Sequence, residues 1–296
     1  QFRIPIREPD KVVGNIEGFS SIRFIRMFMK GFKSDIVIRF ATLDLVRGEW
    51  RTYTQAIQAP GEYIAGDQTN HTLFEQSAVN LEENSNRNPI PYVIPPGIYQ
   101  EVYTGTLSTI RQNEQALQLS VENLVDGDAR AVYKSTSFDF RYYQKLRMFI
   151  HAEKMYEYDN MEDGDLTVFL RFGSDLTDNY YEYEVPLKFT EWHTSSTDDF
   201  AIWPEENNIE IDFEELVEVK NNRNRSIGKN NVQSNRVYTE TSGKNKIKVL
   251  GNPTISEVRS MMIGIRNPLN VNEVSEDKSA IVWINELRLT DLKNQG

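Results

Sequence analysis

Three aspartates stand close together in a short acidic loop and could hold a metal ion. Asp159, Asp163 and Asp165 surround a turn at Gly164. Carboxylate oxygens grouped around a glycine turn are typical ligands of Ca²⁺. The spacing does not match an EF-hand loop, so two interpretations stay open: a structural Ca²⁺ site or, as we favour, a solvated acidic turn. No other cofactor is predicted.

Four aromatic side chains could bind a glycan or a protein partner. Tyr181 and Tyr183 alternate in a predicted strand and so lie on one of its faces, and Trp192 and Trp203 follow in the next segment. Exposed aromatic rings stack on sugars or anchor protein interfaces. The competing interpretation, which we favour, places one face of this strand in the protein core.

The residues of common catalytic sites are missing or scattered. The chain has no cysteine, no Gly-x-Ser-x-Gly elbow and no phosphate-binding glycine loop. His71, His151 and His193 are far apart and match no metal-binding motif. We therefore predict a protein that is not an enzyme. A glycan-active enzyme is a weaker alternative, because its two carboxylates have no sequence signature.

The composition is that of a folded, soluble and acidic chain. Of its 296 residues, 39% are hydrophobic and 26% are charged, and the formal net charge is -11. Such a chain repels nucleic-acid phosphates and anionic membrane surfaces, so neither is an expected partner. The apolar runs, such as AIVWI at 280–284, are shorter than the roughly 20 residues of a membrane-spanning helix.

Short apolar or alternating segments separated by turn residues predict a mostly β fold. Several segments are apolar almost throughout, which indicates burial on both faces and favours antiparallel β-sandwich modules with long polar loops. The best helix candidate is 212–220, with Asp212 as its N-cap. A polar stretch at 221–235 is predicted to be a mobile loop. The predicted strands are 21–28, 35–43, 50–56, 115–123, 129–133, 146–153, 166–173, 180–187, 246–250, 258–266 and 280–290.

An internal repeat groups these strands into modules. Segments 21–38 and 257–283 each contain a strand with an early arginine, then Lys-Ser, then a strand centred on Ile-Val. We predict that residues 1–58 are the C-terminal part of a first β-sandwich module and that 95–296 form a complete second one. The Asn-, Glu- and Pro-rich residues 59–94 are predicted to be a polar linker or long loop. A chain that opens within a module is expected to come from a longer protein.

Several segments, taken whole and in order along the chain, resemble those of a known protein family. They are VGNI at 13–16, FSSIRFIRM at 19–27, RQNEQAL at 111–117, GDARAVYK at 127–134, LRMFIHAE at 146–153 and VWINELRLT at 282–290. Together they resemble the SprA/Sov family, the outer-membrane translocon of the type IX secretion system. None is a catalytic signature, so the resemblance rests on their sum.

This resemblance implies a role in protein export. Family members are giant outer-membrane β-barrels of Bacteroidetes that pass folded cargo to the cell surface and support gliding motility. The chain would be a soluble, non-catalytic region of such a protein that caps the channel, guides cargo or docks partners. Its expected partners are other subunits of the secretion machinery and the secreted cargo protein. We expect it at the cell surface, with the periplasmic side as the alternative.

The end of the chain also resembles galactose-binding jelly rolls. In the closing strand of those domains, as at 280–289, an apolar run ends in an Asn/Asp-x-Leu-Arg-Leu pattern. The resemblance implies a jelly-roll-like sandwich and a second hypothesis, a cell-surface carbohydrate-binding module. Such a module should expose two or more aromatic rings on one sheet face, whereas a translocon region should form large interfaces with other chains.

Overall fold

The fold is described from a computed structural model. The chain divides into a unit of residues Gln1–Arg47 and a unit of residues Gly48–Gly296. The described residues of the first unit form neither helix nor strand. Most residues of the strands predicted at 21–28 and 35–43 lie outside the described residues. The structure describes residues 11, 25–28, 30–34, 37, 49–58, 62–67, 70–100, 102–104, 109–111, 114–226, 235–269 and 276–293.

The second unit is built mainly from strands. Its described α-helices are α1 (Leu81–Asn84), α2 (Asp199–Ile202) and α3 (Phe213–Ser226), and short 3-10 helices lie at Phe140–Tyr142 and Glu205–Asn207. The strands are β1 (Arg51–Thr52), β2 (Gln55–Gln58), β3 (Glu62–Asp67), β4 (Leu73–Asn80), β5 (Val102–Thr104), β6 (Thr109–Arg111), β7 (Gln115–Leu124), β8 (Ala129–Phe138), β9 (Tyr143–Lys154), β10 (Thr167–Gly173), β11 (Tyr180–Pro186), β12 (Ile209–Asp212), β13 (Tyr238–Ser242), β14 (Asn245–Leu250), β15 (Val258–Arg266) and β16 (Lys278–Leu292).

Two antiparallel sheets form a sandwich. The seven-stranded sheet has the order β1-β8-β15-β10-β11-β14-β13, and the five-stranded sheet has the order β12-β9-β16-β7-β4. Strands β2 and β3 form a separate two-stranded sheet, as do β5 and β6. The predicted mostly β, antiparallel β-sandwich fold is therefore confirmed.

The main core contains side chains from both sheets. Val168, Leu170 and Phe172 of β10 belong to it, together with Ile150 of β9 and Val282 of β16. These side chains point into the core because alternate residues of a strand lie on the same face. Each buried aliphatic or aromatic side chain contributes about 1.5–3 kcal/mol to folding. Helix α3 adds its buried side chains to the same core.

Strand β10 is buried on both faces, as its apolar sequence predicted. The residues that alternate with its core side chains include Phe169 and Arg171, which lie on the outer face of the seven-stranded sheet. Phe169 lies opposite Gly264 of β15. A Cβ at Gly264 would come within 2.4 Å of the Phe169 ring, so the close approach requires glycine here.

Two segments of the same unit cover the outer face of the five-stranded sheet. Residues 81–93 supply Ile90 and Tyr92, and residues 187–203 supply Trp203. These side chains pack with Trp283 of β16 in a second core. Main-chain bonds hold both segments: Leu81 N donates to Glu114 O at 2.9 Å, and Thr190 N donates to Ala152 O at 2.8 Å.

The predicted module boundaries at 58 and 94 both fall inside the second unit. Strand β1, expected in a first module, pairs with β8. Strand β4, expected in a linker, pairs along its length with β7, and Ile90 and Tyr92 of the same predicted linker are fully buried. Polar composition misled the prediction, because an edge strand and a surface cover both need polar residues on their solvent side.

The predicted helix begins where expected and ends later. Asp212 Oδ1 accepts a hydrogen bond from Glu214 N at 2.8 Å, as an N-terminal cap does. Helix α3 then continues to Ser226, so the first part of the predicted loop at 221–235 is helical. The extension is stabilised by Arg223, which is buried and donates to Gly251 O.

Candidate functional site

A surface cleft of about 340 Å³ opens beside the end of β9. We call it the Trp192 cleft. Strand β9 ends at Lys154, the chain then turns toward β10, and the residues that follow β11 run back beside this turn. The cleft is lined by Lys154, Glu157, Tyr158, Phe189, Thr190, Glu191 and Trp192.

Hydrogen bonds that involve main-chain groups order one wall of the cleft. The Trp192 indole Nε1 donates to Lys154 O at 3.1 Å. Phe189 N donates to Asp163 Oδ1 at 2.9 Å, and Leu187 N donates to Leu166 O at 2.9 Å. The Trp192 ring is therefore held in place by the end of β9.

The accessible surface of the cleft combines aromatic rings with carboxylates. Tyr158 is 92% exposed, Trp192 is half-buried, and Glu157 and Glu191 are exposed. The ammonium of Lys154 donates to the carbonyl oxygen of Asp159 at 3.2 Å. This surface suits a cationic side chain, which gains from the carboxylate charges and from cation–π contact with a ring.

The structure corrects the predicted aromatic platform, since Trp192 alone of its four residues lines the cleft. Tyr181 and Tyr183 belong to the main core, and Trp203 is buried under residues 81–93, where its Nε1 donates to Val93 O at 2.9 Å. Burial raises the pKa of Tyr181 to about 12. The platform was inferred from residue type, but Tyr181 and Tyr183 face the opposite sheet.

The acidic loop does not gather its carboxylates into a metal site. Asp163 is bonded to Phe189 N, and Asp165 Oδ2 accepts from Glu162 N at 3.0 Å and lies 3.3 Å from Lys278 Nζ. In the described part of the chain, no group of three or more His, Cys, Asp or Glu is placed to hold a metal ion. Of the two interpretations for Asp159, Asp163 and Asp165, a Ca²⁺ site and an acidic turn, the structure shows a turn whose Asp163 and Asp165 carboxylates bond to nearby chain.

An ionic cluster on the outer face of the seven-stranded sheet was not predicted. It consists of Arg171, Glu182, Glu184, Lys248 and Arg266, each at most 4% exposed. Four adjacent strands, β15, β10, β11 and β14, bring these side chains together. The signal in the sequence was the occurrence of charged residues inside otherwise apolar strands, because such residues are rarely buried unless they are paired.

Each carboxylate of the cluster is shared by several donors. Glu182 Oε2 accepts from Arg171 Nε and Nη2 at 2.9 and 2.7 Å, and its Oε1 accepts from Lys248 Nζ at 2.9 Å. Glu184 Oε2 accepts from Lys248 and Arg266. Burial would raise the pKa of both carboxyls, but the charges of Arg266 and Lys248 outweigh it and hold both pKa values below their usual range.

The buried histidine lies on the outer face of the other sheet. His151 stacks on Trp283 with ring centroids 3.9 Å apart, and its Nδ1 donates to Ile202 O at 2.7 Å. The neighbouring Glu153 is paired with Arg87. Both His151 and Glu153 are fully buried, so neither can meet a solute from solvent.

A family model of motility related/secretion proteins, SprA_N, matches residues 1–296. The chain belongs to this family. The match confirms the resemblance to the SprA/Sov family seen in the sequence segments. No curated protein matches this family member.

Among solved structures, this family member is similar to a carbohydrate-binding module specific for non-crystalline cellulose. The identity is 14%, over 65% of this chain and 80% of the module, and the TM-score is 0.26. At that score the likeness supports no argument about fold or function. Within the described ranges, no helix is long and apolar enough to cross a membrane.

Proposed function

We propose that this chain is a non-catalytic docking region of an outer-membrane translocon of the type IX secretion system in Bacteroidetes, a machine that also supports gliding motility. The observation that carries the proposal is the family match, which extends over residues 1–296. Channel capping and cargo guidance are the other roles open to such a region. Docking is preferred because the second unit offers a suitable surface.

The Trp192 cleft is the proposed docking surface. Trp192 is held by Lys154 O, so its side chain loses little conformational freedom when a partner binds to its ring. The exposed carboxylates of Glu157 and Glu191 favour partners with a basic segment. The partners proposed are other subunits of the secretion machinery and the secreted cargo protein.

The burial of reactive groups supports a non-catalytic role. His151, Glu153, Glu182 and Glu184 are at most 2% exposed, and they form hydrogen bonds or ion pairs inside the sandwich. A general acid or base must come within hydrogen-bond reach of its substrate, which these groups cannot do without opening the fold.

A cysteine-scanning experiment tests the docking role, because the chain has no cysteine of its own. Tyr158→Cys is introduced into the protein in its source bacterium and carries a thiol-linked photocrosslinker. We expect adducts with a secretion subunit or with cargo. Phe200→Cys, at a position that is 69% exposed and does not line the cleft, is the matched control. Labelled Tyr158→Cys that gives no adduct would contradict docking at this cleft.

The same variant reports the side of the membrane. We propose the cell surface, so a membrane-impermeant maleimide should label Tyr158→Cys on intact cells. Labelling only after the outer membrane is permeabilised would place the region in the periplasm instead.

Carbohydrate binding is the second candidate function, and the exposed ring of Tyr158 beside Trp192 favours it. It predicts that the full chain binds glycan arrays and that Trp192→Ala abolishes this binding. Glycan binding without any protein adduct at Tyr158→Cys would replace the docking proposal.

A further inference from the structure

The ionic cluster contains a buried guanidinium edge without an acceptor. Arg266 is 2% exposed. Its Nη1 pairs with Glu182 and Glu184, whereas its Nε and Nη2 have no hydrogen-bond partner in the part of the chain that the structure describes. The Nε and Nη2 donors form the edge of a guanidinium that binds an anion side-on.

The acceptors of the cluster are already engaged elsewhere. Both oxygens of Glu182 accept from cations, and Glu184 Oε2 does the same. Glu184 Oε1 accepts from the Thr167 hydroxyl at 3.0 Å. Neither carboxylate can turn to the open edge of Arg266 without breaking a bond that it now makes.

The neighbouring groups do not supply an acceptor either. The Phe169 ring lies against the Arg266 guanidinium, and the Arg266 Cζ is 4.4 Å from the centroid of that ring. Asp128 is next to Ala129, the β8 residue that pairs with Arg266, but it is bonded to Arg130.

The charges of the cluster also favour a bound anion. Arg171, Lys248 and Arg266 supply three positive charges, and Glu182 and Glu184 supply two negative charges. Both carboxyls stay ionised at neutral pH because their pKa values are held low. These five side chains therefore carry more positive than negative charge, which favours an anion beside Arg266.

We propose that the Nε–Nη2 edge of Arg266 binds one small monovalent anion, a carboxylate such as formate or a halide such as chloride. A planar carboxylate places one oxygen on each N–H group, and a halide lies between them. Small size is required because every member of the cluster is buried. The anion stabilises the four strands that meet at the cluster.

Thermal unfolding of the full chain tests this site. The sodium concentration is held constant while gluconate, which is too bulky for the site, is replaced stepwise by chloride or by formate. We expect a saturable rise in midpoint, on the order of 5–10 °C when the anion reaches about 100 times its Kd. Identical wild-type midpoints in gluconate, chloride and formate would overturn the proposal.

Two variants make the test specific. Arg266→Met removes the open edge, so its midpoint should not respond to chloride or formate. Arg259→Met removes a charge from the same strand at a side chain that is 64% exposed, and it should respond like the wild type. An equal response in Arg266→Met would mean that the anions act elsewhere and would overturn the proposal.

Bromide diffraction gives a second test that needs no variant, in case Arg266→Met does not fold. In wild-type crystals soaked in bromide, an anomalous peak is expected within about 3.5 Å of both Arg266 Nε and Nη2. Peaks confined to the protein surface would identify adventitious ions only and would overturn the proposal.

Discussion

The outer faces of the two sheets are both buried, and they differ in how much charge they bury. The seven-stranded sheet buries the five charged side chains of the ionic cluster, which must satisfy one another. The five-stranded sheet buries aromatic rings under residues 81–93 and 187–203, with Trp283 at the centre. Charges depend on specific partners, whereas rings depend mainly on buried area. The two faces should therefore respond differently to small changes.

Polar groups also occur on the aromatic face, where they comprise the Arg87–Glu153 ion pair and a row of neutral hydrogen bonds. Trp283 Nε1 donates to Gln118 Oε1 at 3.1 Å, and Gln118 Nε2 donates to Ser77 Oγ at 3.0 Å. Loss of one neutral bond costs less than loss of one buried charge. This difference orders the predictions below.

The largest effect is expected from Glu182→Gln, which changes the volume of the side chain little. It leaves three buried cations with one carboxylate, so the free energy of unfolding should fall by about 3–5 kcal/mol. Chemical denaturation measures this change. The control is Glu257→Gln, whose partner Arg259 is exposed; it should cost less than about 1 kcal/mol. Equal effects of the two changes would contradict the role given to the cluster.

Trp283→Phe should have an intermediate effect. The change removes the bond to Gln118 and part of the contact with His151 but leaves a ring in place. We expect a loss of about 1–3 kcal/mol in the free energy of unfolding, by the same denaturation assay. A loss of stability as large as that caused by Glu182→Gln would contradict the predicted difference between the two faces.

Acid should weaken both faces but the ionic cluster more, because the cluster holds two carboxyls with lowered pKa values whereas the aromatic face holds Glu153. The pKa values of Glu182 and Glu184 are lower in the folded protein than the ordinary glutamate value of 4.5. Their contribution to stability is therefore full above about pH 4.5 and is lost as the pH falls below it. Unfolding of Trp283→Phe measured between pH 6 and pH 3 should show the same decline as the wild type. The double change Glu182→Gln, Glu184→Gln should flatten the decline, and an unchanged slope would contradict the prediction.

The smallest effect on stability is expected at the Trp192 cleft, outside both buried faces. Tyr158 is 92% exposed, so Tyr158→Ala should change the free energy of unfolding by no more than about 0.5 kcal/mol. The same change should weaken partner crosslinking from a cysteine placed at Glu157. Loss of crosslinking together with a large loss of stability would indicate misfolding instead of a lost contact.

The sequence predicted much of the fold where the pattern was strong. The strands from β7 to β11 and from β14 to β16 lie close to their predicted positions, since period-two alternation or an apolar run marks a buried strand. Strands β3, β4, β5, β6, β12 and β13 were missed. They are short or lie at sheet edges, where half of the residues face solvent and the apolar pattern is weak.

The candidate site was predicted only in part. Trp192 lines the cleft, but nothing in its local pattern separates it from Trp203, which is buried. The difference arises because residues 81–93 cover Trp203, and that cover comes from a distant part of the chain. Likewise, Asp163 and Asp165 have the composition of a calcium loop, but they bond to Phe189 N and to Lys278 instead.

The sequence by itself determined the strand content, the acidic charge, the lack of cysteine and the family resemblance. These features follow from residue types and their spacing within short segments of the chain. Only the tertiary structure decided that Arg171, Glu182, Glu184, Lys248 and Arg266 meet on one face, and which tryptophan stays accessible. Residues separated by many positions meet through strand order and register, and neither is encoded in any single segment.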